Sequence, residues 1–458
     1  MLFVIINSVN TKIYREMIDK LLLLIVILIL LAPCSKAQTM DMDACMAYAI
    51  EHSTMVGKQT NYLDDAVWEY NKSIAALFPT VSAGVAGAIN FGRSIDPETN
   101  NYTTVSTFGN SYSLQSGMPL FSGMRYINAI RAAKAARLKG QHDLAVCKTE
   151  VAVATMTAYI EAVYYQGAVK IAQKQLANAA TLLSKTQKLY ELGRKSAADV
   201  AELEAQKANY EYMLVEQENN AEMAMIKLRN IMNYPQNITL TIIADTNMVL
   251  AYNIPTIDSV TAYAMEHNSK ISSAELYTQH SKLQYKQARG SYIPTIYLYG
   301  GYNTSYFTNF ENPLAYNPFW QQVKNNQGGY IQLSLSIPIF SNLDRKTQVV
   351  HARNAWHNAR LDEQEIRNQL TSEIATAVQQ MRGLAKQYYS ATQKLEAAKL
   401  AYEGIATKYE KGIATFADLQ TASTTVLQAE LDCLHTKLKY GMECRMVEYY
   451  SGKPLIRK

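Results

Sequence analysis

The sequence predicts an α+β membrane protein. Four transmembrane strands per chain join a trimeric twelve-stranded β-barrel, which continues as a long α-helical coiled-coil tunnel. Three observations predict it: an internal duplication, a change of hydrophobic period from two to seven within each copy, and few helix breakers. Only 20 Gly and 11 Pro occur in 458 residues, well below average usage.

The duplication is read from landmarks. Ala47-Tyr48-Ala49-Ile50-Glu51-His52 recurs as Ala262-Tyr263-Ala264-Met265-Glu266-His267, and Phe78-Pro79-Thr80 as Ile293-Pro294-Thr295, both at an offset of 215 (47 to 262). Pro119-Leu120-Phe121-Ser122 matches Pro338-Ile339-Phe340-Ser341, and Tyr190-Glu191-Leu192-Gly193 matches Tyr409-Glu410-Lys411-Gly412, at an offset of 219 (190 to 409). Units this long are too large for a solenoid, so the protomer has two pseudo-symmetric halves. The predicted order is a signal peptide over 1–37, a first repeat over 38–233, an equatorial linker over 234–258, a second repeat over 259–450 and a tail over 451–458.

The apolar run Leu21 to Pro33 follows Lys20 and precedes Ser35-Lys36-Ala37. This is a secretory signal, too short to span a bilayer, with Met17 an alternative start. Cys34 opens a lipoprotein alternative, against which Pro33 stands. The four remaining cysteines, Cys45, Cys147, Cys433 and Cys444, show no C-x-x-C spacing. Along a helix Cys433 and Cys444 stand ~16 Å apart, too far for a bridge, so all four read as small packing residues.

In each repeat a helical stretch, 42 to 76 in the first, gives way to alternation. Val81, Ala83, Val85, Gly87, Ile89 and Phe91 alternate with mostly polar residues. Tyr112, Leu114, Ser116, Met118 and Leu120 do likewise. In the second repeat Ile331, Leu333, Leu335, Ile337 and Ile339 oppose Tyr330, Gln332, Ser334 and Ser336. Period-two runs of this length match tilted barrel strands, and the competing reading is a half-exposed sheet of a soluble sandwich. Tyr297, Tyr299, Tyr302 and Tyr306 are expected to form an interfacial girdle, since the amphipathic tyrosine ring suits such a boundary and the chain has 32 of them. The strands are joined by polar loops, Gly92 to Asn110 and Thr308 to Gln327.

From Ser122 to Tyr190, and again from Ser341 to Tyr409, Pro is absent, so an unbroken helix would reach ~100 Å. Shorter helices return over about 197–233 and 416–449. On the last, Leu419, Val426, Cys433, Tyr440 and Val447 recur every seven residues beside a second stripe of Leu427, Ala429 and Leu434, arguing coiled-coil packing with neighbours on both sides. Gly193 and Gly412 sit where a helix ends in a left-handed residue. Ser196-Ala197-Ala198-Asp199 and Thr415-Phe416-Ala417-Asp418 read as capping boxes. The segment Asn237 to Ile243 is strand-like and, with the tail, is expected beside the middle of the helices. Four strands with two open edges cannot stand in lipid. Two chains would give eight strands with a filled interior, whereas three give twelve and a lumen.

With these features the chain resembles the TolC-like outer-membrane efflux proteins over 42 to about 455. The resemblance rests on the duplication, the Pro-Leu-Phe-Ser-Gly and Pro-Ile-Phe-Ser-Asn strand ends, and the paired Tyr-x-x-Gly-x-x-[Ser/Thr]-x-x-Asp tips. It implies a homotrimer in the outer membrane of a Gram-negative bacterium, with the helical part in the periplasm. Such a protein is the passive exit duct of a tripartite efflux or type I secretion system. Its partners would be a periplasmic adaptor (membrane fusion) protein, an inner-membrane pump and outer-membrane lipid. The hairpin tips, with Gly193, Ser196, Asp199, Gly412 and Thr415, would contact the adaptor. The resemblance also implies a periplasmic gate, to which Tyr409 and Asp418 correspond. The Arg expected between Gly and Asp is Ala414 here, and a second acid is Thr421, so the gate is held differently. Asp418 also serves the capping box, and both roles can coexist.

No enzyme chemistry is legible, and no cofactor or metal site is predicted. G-x-x-x-x-G-K-[ST], H-E-x-x-H and G-x-S-x-G are absent. His351 and His357 are poorly spaced as helical ligands, and Met42, Met46, Met223 and Met225 read as packing. A net charge of +5 without a basic block argues against nucleic acid as a partner. A mean hydropathy of −0.16 excludes a polytopic helical membrane protein. The alternative function is a secreted or periplasmic structural coiled-coil protein without a pore.

Overall fold

A computed structural model describes residues 38–96, 100–235, 237–243, 254–311 and 313–457. The predicted signal peptide, with Met17 and Cys34, lies outside these residues. So do Asn312 and the 244–253 part of the predicted linker.

The chain begins with β1 (Gln38–Met40), α1 (Met42–His52) and α2 (Thr54–Ala75), then β2 (Thr80–Asn90). A small hairpin of β3 (Ser94–Ile95) and β4 (Tyr102–Thr103) precedes β5 (Thr107–Phe121). Then come α3 (Arg125–Glu191, 67 residues) and α4 (Ala197–Ile231, 35 residues). After β6 (Leu240–Ile242) the pattern repeats with α5 (Ile257–His267), α6 (Ser269–Arg289) and β7 (Thr295–Asn309). The short α7 (Phe319–Asn325) and β8 (Gly328–Ser336) follow, and then α8 (Asp344–Glu410, 67 residues) and α9 (Phe416–Tyr450, 35 residues). The paired helices of the two halves are therefore equal in length, and each 67-residue helix extends ~100 Å.

β2, β5, β7 and β8 form one antiparallel sheet in the order β2-β5-β7-β8, leaving β2 and β8 as edges. Residues opposite each other across a ladder share a face, and the registers bring the large aliphatic side chains to one of the two. One face carries Val81, Val85, Ile89, Phe108, Leu114, Met118, Ile296, Leu298, Ile331, Leu333 and Leu335. The other carries Ser82, Gln115, Ser113, Asn303, Gln332 and Ser334. This corrects the girdle expectation. Tyr302 lies level with Leu114 on the apolar face, whereas Tyr297 and Tyr299 pair with Ser334 and Gln332 on the polar one. Tyr297 and Tyr299 are two apart and Tyr302 is an odd number of residues away, so period two separates them.

The loop expected between β7 and β8 contains α7. β8 stops at Gly328, opposite Asn303, while β7 runs on to Asn309. The buried Gln322 of α7 takes the place of the missing strand. Its amide donates to the Phe307 carbonyl at 2.9 Å, and its oxygen accepts from the Phe307 N–H at 3.0 Å. Asn326 donates to the Ser305 carbonyl in the same way. Ile337 and Ile339, expected in the strand, lie beyond its end.

The core sits at mid-length of the helices. Met46 and Ala49 of α1 pack with Met156, Tyr159 and Ala162 of α3, Leu228 of α4, and Leu240 and Ile242 of β6. In the second half Val260 and Ala264 of α5 pack with Ile374, Val378 and Met381 of α8 and with Tyr440 and Val447 of α9. β6 pairs in parallel with β1, shorter than the strand-like stretch in the sequence. Leu455 of the tail enters the first core. The buried Arg445 holds it there, donating to the Leu455 carbonyl at 2.8 Å and pairing with Asp43. Met223, read as packing, is 67% exposed on α4.

Candidate functional site

The sheet and the two hairpin tips lie at opposite ends of the long helices. At one end, the four strands of the sheet contain no Asp, Glu, Lys, Arg or His. Their apolar face is open: Val85 is 71% and Leu333 66% exposed. Among the described residues, no strand pairs with the outer edges of β2 and β8. The loops beyond the sheet are tied together by the Tyr316 hydroxyl, which donates to Asp96 at 2.6 Å. Phe319 of α7 packs edge-on to Tyr112 and Tyr306.

At the other end lie the two helical hairpins. α3 ends in a Schellman turn: Gly193 N–H donates to the Tyr190 carbonyl and Arg194 N–H to the Leu189 carbonyl, both at 2.8 Å. α8 ends identically, with Gly412 bonded to Tyr409 and Ile413 to Lys408. The glycine φ values of +71° and +74° explain why glycine stands there. Each turn leads straight into a capping box. The Asp199 carboxylate accepts from Ser196 N–H at 2.9 Å and Ser196 Oγ at 2.7 Å. That of Asp418 accepts from Thr415 N–H at 3.0 Å and Thr415 Oγ at 2.7 Å. For Asp199 the Ser196 backbone bond is the main cause that holds its pKa below the ordinary value, with Lys195 adding to it. For Asp418 the Thr415 hydroxyl bond leads. Asp418 is exposed, and both of its bonds use the same oxygen, Oδ2.

Tyr409 behaves unlike its repeat partner. Tyr190 is 49% exposed, whereas Tyr409 is 2% exposed, turned from the end of α8 against the first hairpin. Lys195 lies over its ring at 4.2 Å from the centroid and reaches Asp199 Oδ1 at 3.5 Å. The Tyr409 hydroxyl is buried without a hydrogen-bond partner. Burial raises its pKa, with Asp199 and Glu202 adding to the rise. A more exposed pair, Lys185 and Glu410 at 3.1 Å, joins the same two hairpins. Sequence reasoning did not single out Lys195. Yet the offset of 219 maps it onto Ala414, so the cation absent from the second tip stands on the first.

Farther up the wall, Glu430 of α9 draws Lys174 of α3 and Lys399 of α8 to one oxygen, each at 3.4 Å. Of the predicted heptad positions on α9, Leu419, Val426, Tyr440 and Val447 are buried and Cys433 is partly so. Among the described residues, Cys45, Cys147, Cys433 and Cys444 form no disulfide. Among the described residues no helix is long and apolar enough to cross a membrane, and no cluster of three or more His, Cys, Asp or Glu could hold a metal.

A charge-free sheet whose apolar side is bare and whose edges are open, set on two ~100 Å helices, defines one part of an outer-membrane channel-tunnel. The chain belongs to the outer membrane efflux protein family, whose sequence profile matches residues 49–234 and 262–441. It resides in the Gram-negative outer membrane as an exit duct for efflux or secretion, its helical part in the periplasm. That family is one of channels rather than enzymes.

Solved structures with the same fold include the outer membrane protein VceC of Vibrio cholerae (14% identity, TM-score 0.76, covering 90% of this chain and 96% of that one). The Campylobacter jejuni CmeC outer membrane channel matches at 16% identity and TM-score 0.75, over 90% of this chain and 87% of that one. CusC matches at 12% identity and TM-score 0.77, over 90% and 92%. No curated protein sequence matches the chain.

Proposed function

We propose that three copies close into one barrel, β2 of each chain pairing with β8 of the next. The apolar face then meets lipid and the polar face encloses a water-filled lumen. The observation that carries this reading is the uncharged sheet with two open edges, because unpaired backbone groups in hydrocarbon cost several kcal/mol each. The 38–233 and 259–450 repeats each supply two strands and one long helical hairpin, joined by 234–258 at the equator and closed by 451–458. The duct is passive. Its hairpin tips, around Gly193, Ser196, Asp199, Gly412 and Thr415, meet a periplasmic adaptor that links it to an inner-membrane pump.

The gate lies at those tips. Tyr409 with Lys195 holds the second hairpin against the first within each chain, and Asp418 lines the entrance while capping its helix. The test is direct: purify the protein in detergent, measure its mass by light scattering and record conductance in planar bilayers. The expected result is a species of three chains that forms discrete channels. A stable, poreless single chain would overturn it.

A further inference from the structure

The polar face of the sheet carries an aromatic ladder. Three cross-strand rows climb it from the helical end: Pro119–Tyr297–Ser334, Thr80–Gly117–Tyr299–Gln332, and Ser82–Gln115–Gly301–Tyr330. Successive rows on one face are about 7 Å apart, so Tyr297, Tyr299 and Tyr330 occupy three consecutive rungs. At the foot of the ladder the Tyr297 hydroxyl meets that of Tyr126 at 3.1 Å, where α3 begins.

Glycine sets the posture of two of these rings. A Cβ added at Gly117 would come within 2.9 Å of the Tyr299 ring, and one at Gly301 would collide with the ring of Tyr330. Each ring therefore lies over the bare backbone of the neighbouring strand rather than standing up from the sheet. Both rings stay partly open to solvent in that position. Tyr299 is 41% and Tyr330 44% exposed. Tyr297 stacks on Tyr299 with ring centroids 6.0 Å apart and planes 15° from parallel. The remaining groups of these rows are hydroxyls, amides, glycine and proline, without one charge.

We infer that the tyrosine ladder is a transit site for planar aromatic cargo, which stacks on the exposed parts of the Tyr299 and Tyr330 rings as it passes the barrel. The inference rests on the barrel reading, which turns the polar face into the lumen. Flat π faces in an uncharged, hydrogen-bonding wall favour planar rings by offset stacking and add a weak attraction for cations through the ring quadrupole. A wall without charged side chains gives no such preference to an aliphatic ion. Cargo shape is then read by the duct itself and not solely by whatever loads it.

The test uses the full-length protein in planar bilayers, with probes added on the barrel side. Ethidium, a planar aromatic cation, is compared with tetrabutylammonium, an aliphatic cation of equal charge. Ethidium is expected to block the channel with residence times about tenfold longer. Tyr299→Ser combined with Tyr330→Ser should bring the ratio of the two residence times to about one, and Tyr299→Trp with Tyr330→Trp should preserve it. Taking the ratio cancels any change of bore. Channels that treat the two cations alike, or a ratio unmoved by the serine pair, would overturn the ladder and leave the duct standing. Absence of any channel would remove both.

Discussion

Replacing Lys195 with methionine removes the cation over Tyr409 while keeping a side chain of similar length. Lys195 is only 14% exposed on its side chain, and its two partners are the Tyr409 ring at 4.2 Å and Asp199 at 3.5 Å. A partly desolvated cation–π contact contributes about 0.5–2 kcal/mol and an ion pair of this kind about 0–1 kcal/mol. Only the cation–π contact crosses between the hairpins, because Lys195 and Asp199 both stand on the first; at roughly 1.4 kcal/mol per chain it supplies a factor of about ten in the ratio of docked to undocked tips. If one undocked hairpin admits current, Lys195→Met should raise open probability about tenfold. If all three must undock together, independent factors multiply to about a thousandfold. The size of the effect therefore reports how the gate opens.

Single-channel recording in planar bilayers measures this, and two further variants sharpen it. Lys195→Arg keeps a cation over the ring and should stay closed. Tyr409→Phe removes a hydroxyl that is buried without a partner. Losing an unsatisfied polar group costs nothing, so this channel should gate like the parent, whereas Tyr409→Leu should open like Lys195→Met. The reasoning is refuted if Lys195→Met leaves open probability unchanged, or if Tyr409→Phe opens the channel as far as Tyr409→Leu.

Gly412→Ala places a Cβ at φ +74° with nothing within 4 Å of it. The cost is backbone strain alone, about 1–2 kcal/mol, and should appear as faster proteolysis at that tip with the barrel intact. The pKa values of Asp199 and Asp418 lie below the ordinary 3.8. Their capping contribution is thus complete above pH 3.8 and is lost as pH falls through the lower folded value. Amide exchange at the two turns, corrected for its intrinsic pH dependence, should accelerate only in that acid range. Leu333→Arg, on the apolar face, should cost about 2–4 kcal/mol near mid-membrane and block assembly. Gln332→Arg, one residue away on the polar face, should assemble and shift ion selectivity toward anions. Arg445→Met should remove the ion pair to Asp43, which keeps the Arg457 N–H, and release the Leu455 carbonyl, seen as trimming of the tail by carboxypeptidase.

Features of short range were readable in the sequence. Both capping boxes and both left-handed glycines follow from residue type at fixed spacing, and the structure places all of them as read. The long helices were equally plain, because without proline nothing interrupts them. What stayed hidden depends on partners distant in sequence. Tyr297 and Tyr299 differ from Tyr302 only in parity, and the consequence appears once the Leu114–Tyr302 register is known. Gln322 is an unremarked loop residue until β8 proves shorter than β7 and leaves Phe307 in need of a partner. Met223 looked like packing because methionine usually is. On α4 it is exposed instead.

The duplication ties these misses together. A repeat is assembled from equal backbones, as the matched helix lengths of 67 and 35 residues show, but the gate proposed above needs unequal hairpins, one moving against the other. The inequality lies in side chains at equivalent positions. Tyr190 is exposed where Tyr409 is buried, and Lys195 stands where the second tip has Ala414. The cation sought between Gly412 and Asp418 had not been lost from the molecule. Lys195 stands on the opposite hairpin and lies over the Tyr409 ring. Exchanging the two, as Lys195→Ala with Ala414→Lys, should therefore fail to restore closure. The Tyr409 ring packs against the first hairpin, and a lysine placed five residues beyond it on the second no longer joins the two.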